Sequence, residues 1–199
     1  MTPIQDKSIY IINLGCAKNL VDSNVISQIL APAGYKHSRS MRDAKFIIVN
    51  TCGFIHDARV ESQEVINDAL KNRRKGQYII ASGCLCQRLN AGLYDQFPSL
   101  DGLVGTRNLQ DVLPLLDDLS TSGSPKRNGL PAYSKLMVDP NLSNTIIQGG
   151  SSYLKIADGC HRTCAFCAIP LIKGPLVSRS KESILRDALE LQDAGVKEI

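Results

Sequence analysis

The 199-residue sequence lacks the long apolar runs of a membrane protein and the strong charge of many nucleic-acid-binding proteins. No stretch approaches the ~20 apolar residues that a membrane helix needs, and the amino terminus lacks the basic-then-apolar layout of a signal peptide. The formal net charge of +4 is too small to indicate a nucleic-acid partner. We therefore expect a globular, cytoplasmic protein with no membrane partner.

The sequence contains seven cysteines, an odd number. In a reducing compartment cysteines seldom form a disulfide framework, so metal binding or catalysis is the default interpretation. Three of them end segments of one pattern, an aromatic residue, two isoleucines, three further residues and a cysteine: YIINLGC at 10–16, FIIVNTC at 46–52 and YIIASGC at 78–84. Each segment is typical of a short strand that is buried on both faces.

Strand and helix patterns alternate through the first 120 residues. Apolar runs predict strands at 9–14, 46–49, 78–81 and 103–104, and apolar residues at helical spacing predict helices at 20–33, 58–70 and 109–119. This alternation is typical of an α/β protein, because parallel strands need long crossovers, which are usually helices. We therefore predict an amino-terminal doubly wound parallel-sheet domain of the flavodoxin-like kind over residues 1–120.

Cys16, Cys52 and Cys84 follow their predicted strands in the same register. Because parallel strands end at one edge of a sheet and neighbouring strands lie about 4.8 Å apart, we expect the three thiols within roughly 5–10 Å of one another. Three thiolates over that span suit a polynuclear metal centre. The alternative is that they are small buried apolar residues, a frequent role of free cysteine. Cys86 lies outside the register and is not predicted to be a ligand.

A second cysteine group follows a change in composition. Residues 121–150, with their prolines and glycines, are typical of a linker. After a strand predicted at 152–157, three cysteines have C-x3-C-x2-C spacing on one loop: Cys160, Cys164 and Cys167. Three ligands suit a four-iron cluster whose open iron binds S-adenosylmethionine for cleavage to a radical. The alternative is structural zinc with His161 as its fourth ligand.

The second cysteine motif, with Phe166 before its last cysteine, resembles the signature of the radical S-adenosylmethionine superfamily, in which that aromatic residue lies by the adenine. Together with NLGCAKNLVDS, NTCGFI and GCLCQR, this motif makes the chain similar to the methylthiotransferases of the superfamily. The resemblance implies that residues 151–199 begin a partial TIM-type barrel. It also implies S-adenosylmethionine and two [4Fe-4S] clusters as cofactors, one held by Cys16, Cys52 and Cys84 and the other by Cys160, Cys164 and Cys167.

The resemblance further implies an activity. NLGCAKNLVDS, NTCGFIHDA and FCAIPLIKG are similar to the branch that adds a methylthio group to the β-carbon of an aspartate in a small-subunit ribosomal protein. The second cluster would generate the radical and the first would deliver the sulfur. The implied partners are the ribosomal protein or the ribosome, an electron donor such as flavodoxin or ferredoxin, and a sulfur donor.

Two alternatives to this activity stay open at the level of sequence. A transfer-RNA adenosine methylthiotransferase is the alternative enzyme, because it shares the cysteine pattern. A non-catalytic iron–sulfur or zinc-binding module is the alternative of another class.

The chain departs from the family pattern at several positions and at its end. Asn24, His161, Ala165 and Lys173 replace residues that are more usual, and Lys173 stands where an arginine is common. A helix predicted at 181–194 has an apolar face without partners, and the sequence then stops at GVKEI on entering a second barrel strand. One strand–helix unit cannot close a barrel, so we expect these 199 residues alone to be inactive.

Overall fold

Five strands form one parallel sheet in the amino-terminal part of the chain. The computed structural model describes residues 6–123, 130 and 141–199. The strands are β1 Ser8–Asn13, β2 Lys36–His37, β3 Phe46–Thr51, β4 Tyr78–Gly83 and β5 Gly102–Gly105, in the order β2-β1-β3-β4-β5. This all-parallel order is that of flavodoxin-like folds, which bind ligands at the carboxyl ends of their strands. The predicted α/β class and doubly wound sheet are confirmed.

Helices cover both faces of the sheet. Helix α1, Ala17–Leu30, and helix α5, Val112–Ser122, share one buried apolar cluster with side chains of the central strands. The second buried cluster, on the opposite face, includes side chains of α2 His56–Lys71, α3 Cys84–Leu89 and α4 Gly92–Gln96. Strand β3 is buried along its whole length, as expected for a strand with helices on both sides.

The three similar strands are not all in the same register, which corrects one prediction. Phe46 lies opposite Tyr78, and their rings stack with centroids 5.4 Å apart. Phe46 also lies opposite Ile9, so Tyr10 is displaced by one residue. Because side chains alternate between faces, this offset places Tyr10 in the other apolar cluster from Phe46. Segments with the same sequence pattern therefore do not all pair in the same register.

Smaller differences concern the ends of elements. The strand β2 was not predicted, because its two residues are exposed and carry no apolar pattern. The helix predicted at 20–33 begins three residues earlier and ends at Leu30, where a 3-10 turn over Ala31–Ala33 contains Pro32. Proline cannot donate the backbone hydrogen bond that would continue an α-helix.

The second part of the chain contains two small antiparallel sheets. Strand β6, Thr145–Gln148, pairs with β7, Ser151–Leu154, and strand β8, Ala157–Asp158, pairs with β9, Val177–Ser178. The single strand predicted at 152–157 is therefore two strands, because the chain changes partner between them. Strand β6 falls in the stretch predicted as a linker, whose residues 124–129 and 131–140 lie outside the described ones.

Two helices complete this part, α6 Ile169–Lys173 and α7 Lys181–Asp193. After α7, Glu198 forms a parallel bridge with Ser151 of β7, so the GVKEI segment does enter a second parallel strand as predicted. On α7, Leu191 is buried, whereas Leu185 and Leu189 are exposed. Within the described ranges no helix is both long and apolar enough to span a membrane.

Candidate metal centres

The first candidate centre lies at the carboxyl edge of the parallel sheet. Cys16 follows β1 and precedes α1, Cys52 follows β3, and Cys84 follows β4 as the first residue of α3. Cys52 and Cys84 are buried, and Cys16 is exposed. None of the three is in a disulfide. The strand order β1-β3-β4 makes the three cysteine-bearing loops direct neighbours, as expected from the topology.

The loops approach closely enough to require a glycine. Gly15 has a left-handed backbone with φ +91°, and a Cβ there would lie 2.8 Å from Cys52 Cβ and 3.2 Å from Cys52 Sγ. A side chain at this position would therefore push the first loop away from the second. Burial raises the pKa of the Cys84 thiol to about 11; the Lys173 ammonium partly opposes this, and the nearby Cys52 and Cys16 add to it.

Asn19 contacts all three cysteine-bearing segments with one buried side chain. Its Nδ2 donates hydrogen bonds of 2.9 Å to the carbonyl oxygens of Leu14 and Thr51, which precede the first and second cysteine loops. Its Oδ1 accepts a 3.5 Å hydrogen bond from the Cys84 thiol. Asn19 therefore fixes the three loops relative to one another before any ligand binds.

Two further side chains hold the Cys52 loop. The buried Ser62 hydroxyl accepts a 2.9 Å hydrogen bond from the Cys52 amide. Arg88 of α3 donates to the carbonyl oxygen of Gly53 at 2.8 Å. Because α3 begins with Cys84, this arginine ties the second cysteine loop to the helix that carries the third cysteine.

Cys86 lies elsewhere, although it is two residues from Cys84. Its side chain is fully buried in the apolar cluster on the α2 side of the sheet, with its Sγ 3.9 Å from Thr51 Oγ1. Burial raises its pKa to about 12. This position favours Cys84 over Cys86 as the third ligand.

The second candidate centre is the loop between β8 and α6. Cys160 and Cys167 are partly buried, and Cys164 is exposed. Two of the sulfur atoms accept backbone hydrogen bonds, Cys160 Sγ from the Arg162 amide at 3.4 Å and Cys167 Sγ from the Ile169 amide at 3.5 Å. Amide hydrogen bonds to sulfur are among the features that tune iron–sulfur clusters.

The start and end of this loop are held together. The Cys160 amide donates a 3.0 Å hydrogen bond to the carbonyl oxygen of Gly174, beyond α6. Gly159, with φ +84°, packs so closely on Pro175 that a Cβ would overlap the Pro175 carbonyl. Phe166 is 92% exposed on the loop, and His161 is exposed as well.

The two centres are adjacent. Cys84 packs with Ala168 and Ile172, which belong to the segment directly after Cys167. Arg107, buried just after β5, donates hydrogen bonds to the carbonyl oxygens of Pro170, Leu171 and Ile172. The parallel-sheet part of the chain therefore binds α6, and the cysteine loop before this helix is held beside Cys84.

The donor sets fit iron–sulfur clusters. Among the residues that the structure describes, no three His, Cys, Asp or Glu side chains form a group compact enough for one metal ion. A cluster differs from a single ion because each thiolate binds a different iron, so the sulfur atoms stand further apart. The three unpaired thiols at the sheet edge and the three on the loop are the kind of donor that such clusters use. The compact Cys3His zinc arrangement is not formed by the described side chains.

Sequence reasoning missed several residues that build these centres: Asn19, Asp22, Arg107, Lys155 and Asp158. One signal was available. Asp22 lies on the same side of α1 as the buried Val25 and Ile29, and a carboxylate on an apolar helix face indicates a buried partner. The partner itself was not predictable, because it lies far along the chain.

Comparison with known proteins agrees with this geometry. The profile of the uncharacterized protein family UPF0004 matches residues 8–105, which contain the sheet and the first three cysteines. A ribosomal protein uS12 methylthiotransferase RimO of Pelotomaculum thermopropionicum is 39% identical over 191 residues, which are 95% of this chain and 43% of the relative. The corresponding proteins of Bdellovibrio bacteriovorus and Natranaerobius thermophilus are 39% and 40% identical over 98% and 95% of the chain.

The chain spans about 43% of the length of these relatives. The similarity runs through both cysteine groups, and the resemblance predicted from the motifs is confirmed. Through both cysteine groups, the chain is similar to the amino-terminal part of methylthiotransferases named for ribosomal protein uS12.

Proposed function

We propose that the full-length protein transfers a methylthio group to the β-carbon of an aspartate in ribosomal protein uS12, in the cytoplasm. The observation that carries this proposal is the adjacency of two separate three-cysteine sites, since Cys84 of the first packs against Ala168, the residue after Cys167 of the second. A reaction that must both activate an unreactive carbon and supply sulfur needs two such sites near one substrate. The similarity to enzymes named for uS12 supports the choice of substrate.

The cysteines divide between two [4Fe-4S] clusters. Cys16, Cys52 and Cys84 would hold one, and Cys160, Cys164 and Cys167 the other. When bound, the clusters supply one-electron cleavage of S-adenosylmethionine at the loop site and sulfur for transfer at the sheet site. An electron donor of the flavodoxin or ferredoxin class and a sulfur donor complete the requirements.

The other side chains orient and bind. Asn19 holds the three sheet-edge loops in place, and the amides of Arg162 and Ile169 donate to ligand sulfur atoms. The exposed ring of Phe166 offers a flat apolar face beside Cys167 for the adenine of S-adenosylmethionine. Because Cys164 is exposed and Cys160 and Cys167 are only partly buried, a substrate could approach this loop.

The test is a reconstitution of the full-length protein without oxygen, with iron, sulfide and a reductant. We expect two four-iron clusters per chain. Incubation with S-adenosylmethionine and a uS12 peptide should add the mass of one methylthio group to an aspartate. Cys160→Ala is the matched control, because it should remove radical formation while leaving the sheet-edge site loaded.

Three results would overturn parts of the proposal. Modification of transfer RNA in place of the peptide would replace the substrate. Stoichiometric zinc with no brown chromophore would replace the cofactor. Two loaded clusters with no cleavage of S-adenosylmethionine would make the protein a non-catalytic iron–sulfur module.

A further inference from the structure

Four buried charged side chains form a closed ring beside the two cysteine centres. Lys155 Nζ lies 2.6 Å from Asp22 Oδ1 and 3.1 Å from Asp158 Oδ2. Lys173 Nζ lies 3.2 Å from Asp22 Oδ2 and 3.2 Å from Asp158 Oδ2. Each ammonium therefore bridges both carboxylates, and each carboxylate contacts both ammonium groups. We call these four residues the charge ring.

The ring draws its members from both domains. Asp22 belongs to α1, the helix that begins directly after Cys16. Asp158 ends β8 just before the Cys160 loop, and Lys173 ends α6, the helix that follows that loop. The Thr106 hydroxyl, after β5, donates to Asp22 at 3.1 Å and is also contacted by Lys173. Both cysteine centres are therefore connected to the ring through short, ordered segments.

The charges of the ring balance. Two carboxylates face two ammonium groups, and all four side chains are less than a tenth exposed. Burial alone would raise the pKa of Asp22, but Lys173 and Lys155 outweigh it and hold the pKa below its ordinary value. Removing one member would leave an uncompensated buried charge, which is strongly destabilising. The ring therefore keeps the two domains in one arrangement.

The surroundings of the ring reinforce this arrangement. Arg107 binds three carbonyl oxygens at the end of α6, next to Lys173. Ile172 of the same helix is fully buried and packs on Cys84. Apolar packing, the Arg107 hydrogen bonds and the ring therefore all join this helix to the parallel-sheet part of the chain.

We propose that Asp22, Lys155, Asp158 and Lys173 are positioning residues that fix the separation between the two cysteine centres. This role of the ring rests on one part of the proposed function, namely that both cysteine groups hold iron–sulfur clusters.

The test compares four variants of the full-length protein. Lys173→Met removes a ring cation, and Lys173→Arg retains a cation that can bridge both carboxylates. Lys18→Met removes a cation from the same Asp158 carboxylate, but Lys18 is half exposed and lies outside the ring. Asp187→Asn breaks a buried pair with Arg179, which lies outside the ring but donates to the Lys155 carbonyl oxygen, and so controls for a general loss of stability near the ring.

The first readout is the electron paramagnetic resonance spectrum of the reduced, fully loaded protein. Adjacent paramagnetic clusters interact, so the wild-type spectrum should differ from the sum of the spectra of Cys84→Ala and Cys160→Ala, which each retain one cluster. We expect Lys173→Met to approach that sum, while Lys173→Arg, Lys18→Met and Asp187→Asn keep the wild-type spectrum. A Lys173→Met protein with full iron and an unchanged spectrum would refute the proposal.

The second readout needs no iron and so does not depend on the proposed function. In metal-free protein, the Cys160 amide donates to the Gly174 carbonyl oxygen and so closes the second loop, and the Gly174 amide donates to the Pro170 carbonyl oxygen at the end of α6. Their hydrogen exchange should be about a hundredfold faster or more in Lys173→Met, as expected for loss of one partner of a buried ion pair, and unchanged in Lys173→Arg. Amides of β3 and β4 should be unchanged in every variant.

Asp187→Asn should accelerate exchange in α7 but not at Cys160 or Gly174. If hydrogen exchange at those two amides were accelerated equally in Asp187→Asn and Lys173→Met, the ring would contribute only general stability. That result would overturn the proposal. If Lys173→Met does not accumulate as folded protein, Asp158→Asn makes the same comparison, because it removes one ring charge without changing the shape of the side chain.

Discussion

The two cysteine centres are built in opposite ways. The ligands of the first come from three strands that lie far apart in sequence, and they are held by the sheet, by Asn19 and by Ser62. The ligands of the second come from one loop, in which the sulfur atoms of Cys160 and Cys167 accept hydrogen bonds from the nearby amides of Arg162 and Ile169. The first centre is thus a property of the tertiary fold, whereas the second is a property of a short piece of sequence.

This difference determines what each centre requires before an iron–sulfur cluster can be inserted. At the sheet edge the protein orders the ligands before a cluster arrives, so changes in supporting residues should affect the cluster. In the loop, the exposed Cys164 and Phe166 have few supporting contacts, so the cluster itself must contribute to the order of the loop. Four experiments can break or refine this comparison.

The largest effect is expected from removing a sheet-edge ligand. Cys84→Ala should remove half of the iron and all sulfur insertion while sparing cleavage of S-adenosylmethionine at the loop centre. Cys86→Ala is the matched control, since its side chain lies in the apolar cluster. We expect it to keep both clusters. Iron counting and cleavage assays on the full-length protein decide between the two, and loss of half the iron in Cys86→Ala alone would reverse the ligand assignment.

The reactivity of the thiols in metal-free protein should separate the centres next. Burial raises the pKa of Cys84 to about 11 from its ordinary value of 9.0. At pH 8 its thiolate fraction, and hence its rate of alkylation, should therefore be about a hundredfold below that of an ordinary thiol. The exposed Cys164 should react fast.

The rate at Cys84 should rise as the pH approaches 11, because the thiolate is then formed. Mass spectrometry of iodoacetamide-treated protein measures both rates. If Cys84 and Cys164 reacted equally fast at pH 8, the sheet-edge centre would not be ordered in the absence of metal.

A smaller effect is expected when the shared support of the sheet-edge loops is removed. Asn19→Ala would leave the carbonyl oxygens of Leu14 and Thr51 without their donor, at a cost of about 1–3 kcal/mol each. In a Cys160→Ala background, where only the first cluster is present, the variant should release iron to a chelator faster.

Asn24→Ala is the control for that experiment. Asn24 lies on the same helix but donates its hydrogen bond to the Thr145 carbonyl, away from the cysteines. We expect its iron release to match that of the parent protein. Equal release from Asn19→Ala and Asn24→Ala would show that the loops do not depend on Asn19.

The smallest effect is expected at Phe166, on the loop centre. If its exposed ring stacks on the adenine, Phe166→Ala in the full-length protein should weaken binding of S-adenosylmethionine by about 1–3 kcal/mol, as for loss of one base–aromatic stack. Iron content should stay unchanged. Calorimetric titration of the loaded protein measures this, and an unaltered affinity would show that the ring does not contact the adenine.

Much of the fold was predictable because it depends on local pattern. The apolar segments at β1, β3 and β4 and the helical spacing in α1, α2 and α5 led to the parallel sheet and its carboxyl edge. The order of the strands was not predicted, and β2 at one edge of the sheet was missed. The one-residue offset of β1 relative to β3 was not predictable. The strands share one sequence pattern, and only their packing decides whether Ile9 or Tyr10 pairs with Phe46.

The cysteine centres were partly predictable for the same reason. Thiols at the ends of parallel strands must converge, and a compact motif on one loop is local by definition. The charge ring was not predictable, because Asp22 and Lys173 are separated by 151 positions and meet only in the folded chain. Asn19 was missed since an asparagine in a helix gives no sign that its amide faces three loops.

The order of β1, β3 and β4 in the sheet also determines when each centre can form. A chain is synthesised from its amino terminus, so the cysteines of the sheet edge emerge first. They still cannot meet until β4 has paired with β3, and pairing between distant segments is slow. The loop from Cys160 to Cys167 closes between near neighbours, which takes well under a millisecond. The sheet-edge centre, although it is synthesised first, can therefore receive its cluster only after the sheet has folded. The loop centre can receive its cluster once its residues have been synthesised.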